Sequence, residues 1–158
     1  MTGGIVYRAM RAQDGRRVLA IYGDSILNED CTVVTAVPDW REWDSAHDAA
    51  CRLVAAENDR AVAFAAVRGA SDGVGEVSIY VDRAFRGIGI GQTLLKQFAA
   101  VCERGGYRLL RSKIFPENHA SIAVHRRAGF AEIGISPRGV CKNGVWRDVI
   151  IYERASIL

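Results

Sequence analysis

The chain has few of the residues that build metal centres or disulfide frameworks. Its 158 residues include four cysteines and three histidines. The cysteines, Cys31, Cys51, Cys102 and Cys141, lie far apart, with no C-x-x-C pair and no histidine at metal-ligand spacing. Zinc sites and disulfide frameworks need regularly spaced ligands. We therefore expect no bound metal, and buried or idle thiols in a reducing compartment.

Long apolar runs and a strong excess of one charge are also missing. No segment approaches the roughly 20 apolar residues that span a bilayer, and the N-terminus lacks the apolar core of a signal peptide. The net charge is only +3, and the basic residues are dispersed, which disfavours nucleic acid binding. These absences predict a cytoplasmic protein with no membrane or nucleic acid partner. The small positive charge suits a small anionic ligand.

The hydrophobic pattern predicts one mixed α/β domain over residues 1–158. Strands are expected over residues 5–10, 60–67, 76–81, 109–114, 131–136 and 145–152, with a further extended segment over residues 31–37. Helices are expected from Asp14 to about Tyr22, from Asp39 through Leu53 and Val54, from Ile90 to Cys102, and from about Asn118 to Arg127. Several hairpins in this order disfavour an all-parallel, doubly wound sheet.

A strand that runs into a glycine-rich turn is the most informative stretch. The turn consists of Arg86, Gly87, Ile88, Gly89, Ile90, Gly91 and Gln92, and an amphipathic helix follows it. Glycine at three alternate positions lets the first N–H groups of the helix approach an anion, and Arg86 adds a positive charge. The turn therefore predicts a pyrophosphate-binding cradle.

The spacing of this turn excludes two common nucleotide sites. A P-loop ends in Gly-Lys-Ser/Thr, whereas Gly91 is followed by Gln92 and Thr93. A dinucleotide fingerprint needs G-x-G-x-x-G, but the sixth position is Gln92 counted from Gly87 and Leu94 counted from Gly89.

The turn instead resembles the Arg/Gln-x-x-Gly-x-Gly/Ala loop of the GNAT superfamily of N-acetyltransferases. A second segment resembles the superfamily's Asn-helix-Gly-Phe motif through Asn118, Ser121, His125, Gly129 and Phe130. The resemblance extends over residues 7–154. Three local patterns resemble the branch with phosphinothricin and methionine sulfoximine acetyltransferases: the strand that begins at Glu76, Glu117-Asn118 with His125, and Lys142-x-Gly144-x-Trp146-x-Asp148-Val149.

This resemblance implies a fold and a cosubstrate. The GNAT fold is a mostly antiparallel, twisted sheet of about six to seven strands, splayed at the coenzyme A site and flanked by about four helices. The cosubstrate is acetyl-CoA, and branch members often form homodimers. The backbone of Ile79, Tyr80 and Val81 is implied to pair with the pantetheine arm, and residues 87–92 to hold the pyrophosphate. Asn118 is implied to hydrogen-bond the pantetheine, with Ser121 beside it.

Two side chains are candidates for the chemistry. Glu76 is a candidate general base, acting directly or through water, and the alternative is a solvated carboxylate at the start of a strand. His125 lies where many superfamily members carry a tyrosine thought to protonate the departing thiolate. An imidazole can donate a proton there, and the alternative is a histidine packed on a helix face.

The sequence defines the molecule that accepts the acetyl group less well than the molecule that donates it. The connection over residues 68–75 is shorter than in the branch and lacks the arginine and aromatic residues that shape an amino-acid pocket there. We expect acetyl transfer by direct attack on the thioester, from acetyl-CoA to the primary amine of a small molecule, foremost an amino acid or amino-acid-like toxin. The alternatives are acetylation of a protein or peptide amine, and a non-catalytic, CoA-responsive binding module.

Overall fold

The structure, a computed structural model, describes residues 4–28, 36–69 and 71–157. Its helices are α1 (Gly15–Asn28), α2 (Trp40–Ala46), α3 (Ile90–Arg104) and α4 (His119–Arg127). Its strands are β1 (Ile5–Ala9), β2 (Arg52–Glu57), β3 (Arg60–Gly69), β4 (Val74–Val81), β5 (Leu109–Ile114), β6 (Ala131–Lys142) and β7 (Val145–Ala155). The extended segment expected over residues 31–37 lies almost entirely outside the described residues.

Seven strands form one sheet in the order β1-β2-β3-β4-β5-β7-β6. Neighbouring strands are antiparallel, except that β4 and β5 are parallel. A parallel pair needs a crossover connection, and α3 lies in the one between β4 and β5. The predicted mixed α/β fold, with a mostly antiparallel sheet and four helices, is confirmed.

Helices cover both faces of the sheet. On one face, Leu94, Leu95 and Phe98 of α3 are fully buried in a cluster with strand side chains. On the other face, Val18 of α1 and Trp43 of α2 pack in a second cluster, in which Trp43 is 2% exposed. The sheet is therefore the middle layer, and a site within it can be reached from two sides. Among the described residues, no helix is long and apolar enough to span a membrane.

The long helix predicted from Asp39 through Leu53 and Val54 is wrong. Asp39 does cap a helix, since its side chain accepts a hydrogen bond from the Glu42 N–H at 2.8 Å, but α2 ends at Ala46 and β2 begins at Arg52. The apolar run at the start of β2 has helical spacing relative to the tryptophans. It is instead a central strand between β1 and β3, buried on both faces.

Gly75→Ala is expected to destabilise this fold. A Cβ on Gly75 would lie 2.5 Å from Cγ2 of Val67 and 2.8 Å from the ring of Tyr107. Both side chains would have to shift, and overpacking of this kind costs about 1–3 kcal/mol. Urea unfolding measures the loss. Gly134→Ala is the matched control, because no described atom lies within 4 Å of a Cβ there; equal stability of the two variants would contradict the packing.

Candidate functional site

Strands β4 and β5 separate within the sheet. They pair over only three residues each, and the last pair is Glu76 opposite Arg111. Beyond it, β4 continues along β3 as far as Val81, and β5 continues along β7 as far as Ile114. The strands therefore diverge and leave a wedge-shaped gap, which is the splay implied by the resemblance.

A cleft of about 390 Å³ lies at this gap. It is lined by β4, β5, the glycine-rich turn and α4, with Ser25 from α1. Nearly all the predicted cofactor-binding residues meet here: Ile79, Tyr80, Val81, Arg86, Gly87, Gly89, Ile90, Gly91, Gln92, Asn118 and Ser121. The exception is Ile88, which is 67% exposed and does not line the cleft.

The edge of β4 that faces the gap is available to a ligand. One edge of residues 77–81 pairs with β3, and within the described ranges no strand pairs with the other. Backbone N–H and C=O groups need partners, and an extended ligand with amide groups can supply them as an added strand. This geometry fits a pantetheine arm.

The glycine-rich turn forms an open cradle at the start of α3. Gly87 and Gly89 have φ angles of 79° and 90°, which strain any side chain, and no described atom lies within 4 Å of a Cβ at either position. At Gly91 a Cβ would be in ordinary van der Waals contact with the side chains of Val81, at 3.4 Å, and Val124, at 3.5 Å. Arg86 donates a hydrogen bond from Nε to the Val81 carbonyl at 3.0 Å. A helix start with this open backbone and a nearby guanidinium fits a pyrophosphate.

Asn118 and Ser121 meet at the start of α4. The Asn118 side-chain oxygen caps the helix by accepting a hydrogen bond from the Ser121 N–H at 3.2 Å. The cap uses the amide oxygen and leaves the amide NH₂ as the group with which Asn118 can donate to a ligand.

His125 is buried on the α4 side of the cleft, with 2% exposure. Its Nδ1 lies 2.8 Å from the carbonyl oxygen of Ser121, and its Nε2 lies 2.9 Å from Oγ of Ser112. Phe130 and Tyr152 pack around the ring. Burial lowers the pKa of His125 below 6.5, and the hydrogen bond to the Ser121 backbone opposes this only in part. The imidazole is therefore neutral at pH 7.

Glu76 lies at the closed end of the gap, outside the lining of the cleft. Its side chain is 47% exposed, and Oε1 is 3.7 Å from Nζ of Lys113. Tyr80, on the same side of β4, packs against Tyr22 of α1. Glu76 thus faces the α1 side of the sheet, whereas His125 lies on the α3 and α4 side. The structure places the two catalytic candidates on opposite faces.

Two residues of β5 were missed in the sequence. Ser112 and Lys113 line the cleft beside the gap. The signal for Ser112 was a single polar residue between Leu110 and Ile114, which alternate with it on the buried face. Lys113 points to the opposite face and carries no comparable pattern.

These features define a class of protein: an α/β fold with a splayed sheet and an anion-binding helix start in one cleft. The profile of the Acetyltransferase (GNAT) family matches residues 21–130. The chain belongs to this family and is an N-acetyltransferase, so the alternative of a non-catalytic binding module is set aside.

Individual relatives support the same branch. The chain is 34% identical over 157 aligned residues to YwnH of Bacillus subtilis (strain 168), named as a candidate phosphinothricin acetyltransferase, and the match covers 93% of this chain and 96% of YwnH. It is 34% identical over 78 residues to an L-methionine sulfoximine/L-methionine sulfone acetyltransferase of Salmonella typhimurium. That match covers 49% of this chain and 46% of the relative. The predicted resemblance to this branch is confirmed.

Solved structures share the fold over nearly the whole chain. A phosphinothricin acetyltransferase from Sinorhizobium meliloti in complex with AcCoA has a TM-score of 0.84 and 26% identity, covering 96% of this chain and 88% of that one. A ribosomal-protein-alanine N-acetyltransferase from Brucella melitensis has a TM-score of 0.84 and 27% identity, covering 96% and 99%. The bound AcCoA in the first supports acetyl-CoA as the cosubstrate of this family.

The free energy of unfolding is expected to fall as the pH is lowered through about 6.5, the unperturbed histidine pKa. Burial lowers the pKa of both His125 and His47, so the unfolded chain binds more protons, and stability is lost as the pH falls. Each histidine adds a slope of at most about 1.4 kcal/mol per pH unit. His125→Gln and, as a matched variant, His47→Gln should each flatten the curve in urea titrations. An unchanged slope in His125→Gln would contradict the neutral, buried imidazole.

Proposed function

We propose that the protein transfers the acetyl group of acetyl-CoA to the primary amine of a small molecule, foremost an amino acid or amino-acid-like toxin. The observation that carries the proposal is one cleft that joins an anion-binding helix start to an open strand edge. The first suits a pyrophosphate and the second an extended arm with amide groups. The names of the relatives support an amine acceptor.

Different residues along the cleft bind different parts of acetyl-CoA. Arg86 and the backbone of residues 87–92 hold the pyrophosphate, and the edge formed by Ile79, Tyr80 and Val81 aligns the pantetheine. Asn118 donates to the arm from the opposite wall, with Ser121 beside it. Acetyl-CoA supplies an acyl group activated as a thioester. Holding it at the gap lets the amine attack with little further loss of orientational freedom.

Glu76 is the general base in this proposal. An amine reaches the site mostly as an ammonium ion and must lose a proton before it can attack. The Glu76 carboxylate is exposed to solvent at the closed end of the gap, so it can take that proton directly or through water and release it. The amine accordingly approaches from the α1 face.

The charges around Glu76 support an amino-acid acceptor. Nζ of Lys113 lies 3.7 Å from Oε1 of Glu76. Arg68, on β3, is the register partner of Glu76. A substrate that carries an amine and a carboxylate can place the amine at Glu76 and the carboxylate at these cations. An amine without a carboxylate would make no ion pair with Lys113 and Arg68.

Acetylation of a protein or peptide amine is the second candidate. The likeness to the ribosomal-protein-alanine N-acetyltransferase favours it. Acceptor preference separates the two candidates, because an amino-acid site is selective for a carboxylate close to the reacting amine and a peptide site is not.

Arg86→Ala is expected to weaken CoA binding by about 10- to 100-fold, the usual effect of losing a charge-assisted hydrogen bond. Isothermal titration calorimetry with CoA measures the change. Arg104→Ala is the control, because Arg104 is exposed in the last turn of α3, at the opposite end of this helix from the cradle. Absence of CoA binding by the wild type would overturn the proposed function.

The wild type is expected to release free thiol from acetyl-CoA in the presence of amines with a carboxylate close to the reacting nitrogen. The panel contains phosphinothricin, methionine sulfoximine, free amino acids and short peptides, and kcat/KM should be higher for the first three groups. Turnover with peptides alone would favour the second candidate. CoA binding without turnover of any amine would contradict both.

In the same assay, Glu76→Gln tests the base. Loss of a general base lowers kcat/KM by about 10²-fold or more at neutral pH, and high pH should restore part of it because free amine becomes abundant. Glu42→Gln, an exposed carboxylate on α2, is the matched control. If Glu76→Gln matched the wild type at neutral and high pH, Glu76 would not be the base.

A further inference from the structure

Ser112 connects the buried imidazole of His125 to the cleft. It is the first residue of β5 beyond the last pair with β4, and both Ser112 and His125 line the cleft. Both are 2% exposed, and Oγ of Ser112 lies 2.9 Å from Nε2 of His125. A polar pair is thus held at the point where the strands separate.

The hydrogen bonds fix the tautomer of His125. A carbonyl oxygen only accepts, so Nδ1, 2.8 Å from the Ser121 carbonyl, carries the ring proton. Nε2 is then an acceptor and takes the hydroxyl proton of Ser112 in a hydrogen bond. The Ser121 hydroxyl lies 3.3 Å from the protonated Nδ1, so it is not positioned to deliver a proton to Nε2. Among the described residues, the hydroxyl in hydrogen-bond contact with Nε2 is that of Ser112, and this is the route by which Nε2 reaches the reacting atoms.

We propose that Ser112 relays protons between His125 and the reacting atoms during acetyl transfer. This inference rests on the proposed function and adds a residue to it. In this relay His125 accepts a proton from Ser112 and later returns it to Ser112.

The relay balances the protons of the reaction. An ammonium substrate loses two protons; Glu76 removes the first and passes it to solvent. As the N–C bond forms and the C–S bond breaks, the nitrogen gives its second proton to Oγ of Ser112, whose hydroxyl proton moves to Nε2. The Nε2 proton then returns to Ser112, whose hydroxyl proton passes to the sulfur of the leaving thiolate. The products are the amide and the free thiol, and the enzyme is regenerated without a co-reactant.

The burial of His125 suits this role. A buried imidazolium is disfavoured, so the proton is held only briefly and is returned to the thiolate, which is the more basic group. Because Ser112 and His125 are closed to bulk water, the proton does not exchange with solvent before the sulfur receives it. An exposed carboxylate such as Glu76 cannot hold a proton in this way.

Kinetics of Ser112 variants test the relay. Ser112→Ala should lower kcat by at least about tenfold, in the range of lost acid–base catalysis, with KM for acetyl-CoA within about twofold. Ser112→Thr keeps the hydroxyl and should recover most of kcat. Ser45→Ala removes an exposed hydroxyl on α2 and should leave both constants unchanged. Wild-type kcat in Ser112→Ala would overturn the relay, as would a loss that follows the melting temperature and is not recovered by Ser112→Thr.

A double mutant tests whether the two residues act as one unit. If they do, Ser112→Ala/His125→Gln should be no slower than the slower single variant. Independent, multiplying losses would overturn the relay.

Nuclear magnetic resonance of ¹⁵N-labelled histidine gives a readout independent of turnover. The wild type should show protonated Nδ1 and unprotonated Nε2 for His125, and Ser112→Ala should shift the Nε2 signal. A protonated Nε2 in the wild type would overturn the relay even if acetyl transfer is normal. A wild type with the expected tautomer that acetylates no amine would instead overturn the proposed function, and the relay with it.

Discussion

The early end of the pairing between β4 and β5 is the constraint on which the site depends. After Glu76 and Arg111 the strands separate, and in the part of the chain that the structure describes no strand pairs with the free edge of residues 77–81. Unpaired backbone groups within a sheet are costly unless water or a ligand satisfies them. The gap is therefore both a local weakness of the sheet and its binding surface.

The packing around the gap keeps it open. Gly91, at the start of α3, lies between Val81 of β4 and Val124 of α4, whose side chains are 3.4 and 3.5 Å from the position of a Cβ on this glycine. These contacts hold the helix start between β4 and α4, beside the cleft that Gly91 lines. The same glycine thus serves the packing of the helix and the position of the anion cradle.

In the proposed mechanism, the two faces of the sheet give the two protons of the reaction different environments. Glu76 is half exposed beside Lys113, where a proton exchanges readily with water. His125 is enclosed by Ser112, Ser121, Phe130 and Tyr152, where a proton is retained. A site within the middle layer can therefore release one proton to solvent and keep the other for the leaving group. A site on a single surface would have to separate them by other means.

Local signals in the sequence predicted the cradle and the start of α4, because glycine at a helix start and asparagine at a cap act on neighbouring backbone. Local signals failed where contacts between residues distant in the sequence determine the structure. Residues 52–57 form a strand only because β1 and β3 flank them, and Ser112 gains its role only because β5 meets His125 of α4 across the core. The pattern around Ser112 shows a polar residue on a buried strand face, but neither its partner on α4 nor the strands that flank residues 52–57 can be identified from the neighbouring sequence.

The short β3–β4 connection also shapes the acceptor side. β3 ends at Gly69 and β4 begins at Val74, so Glu76 lies only two residues inside the sheet, with no long loop from this hairpin to enclose it. Charge then has more influence on recognition than shape. Lys113 of β5 lies 3.7 Å from Glu76, and Arg68 of β3 and Arg111 of β5 are the register partners of Glu76. Under the proposed function, such a site selects for a carboxylate near the amine and discriminates weakly among the side chains that separate one amino acid from another.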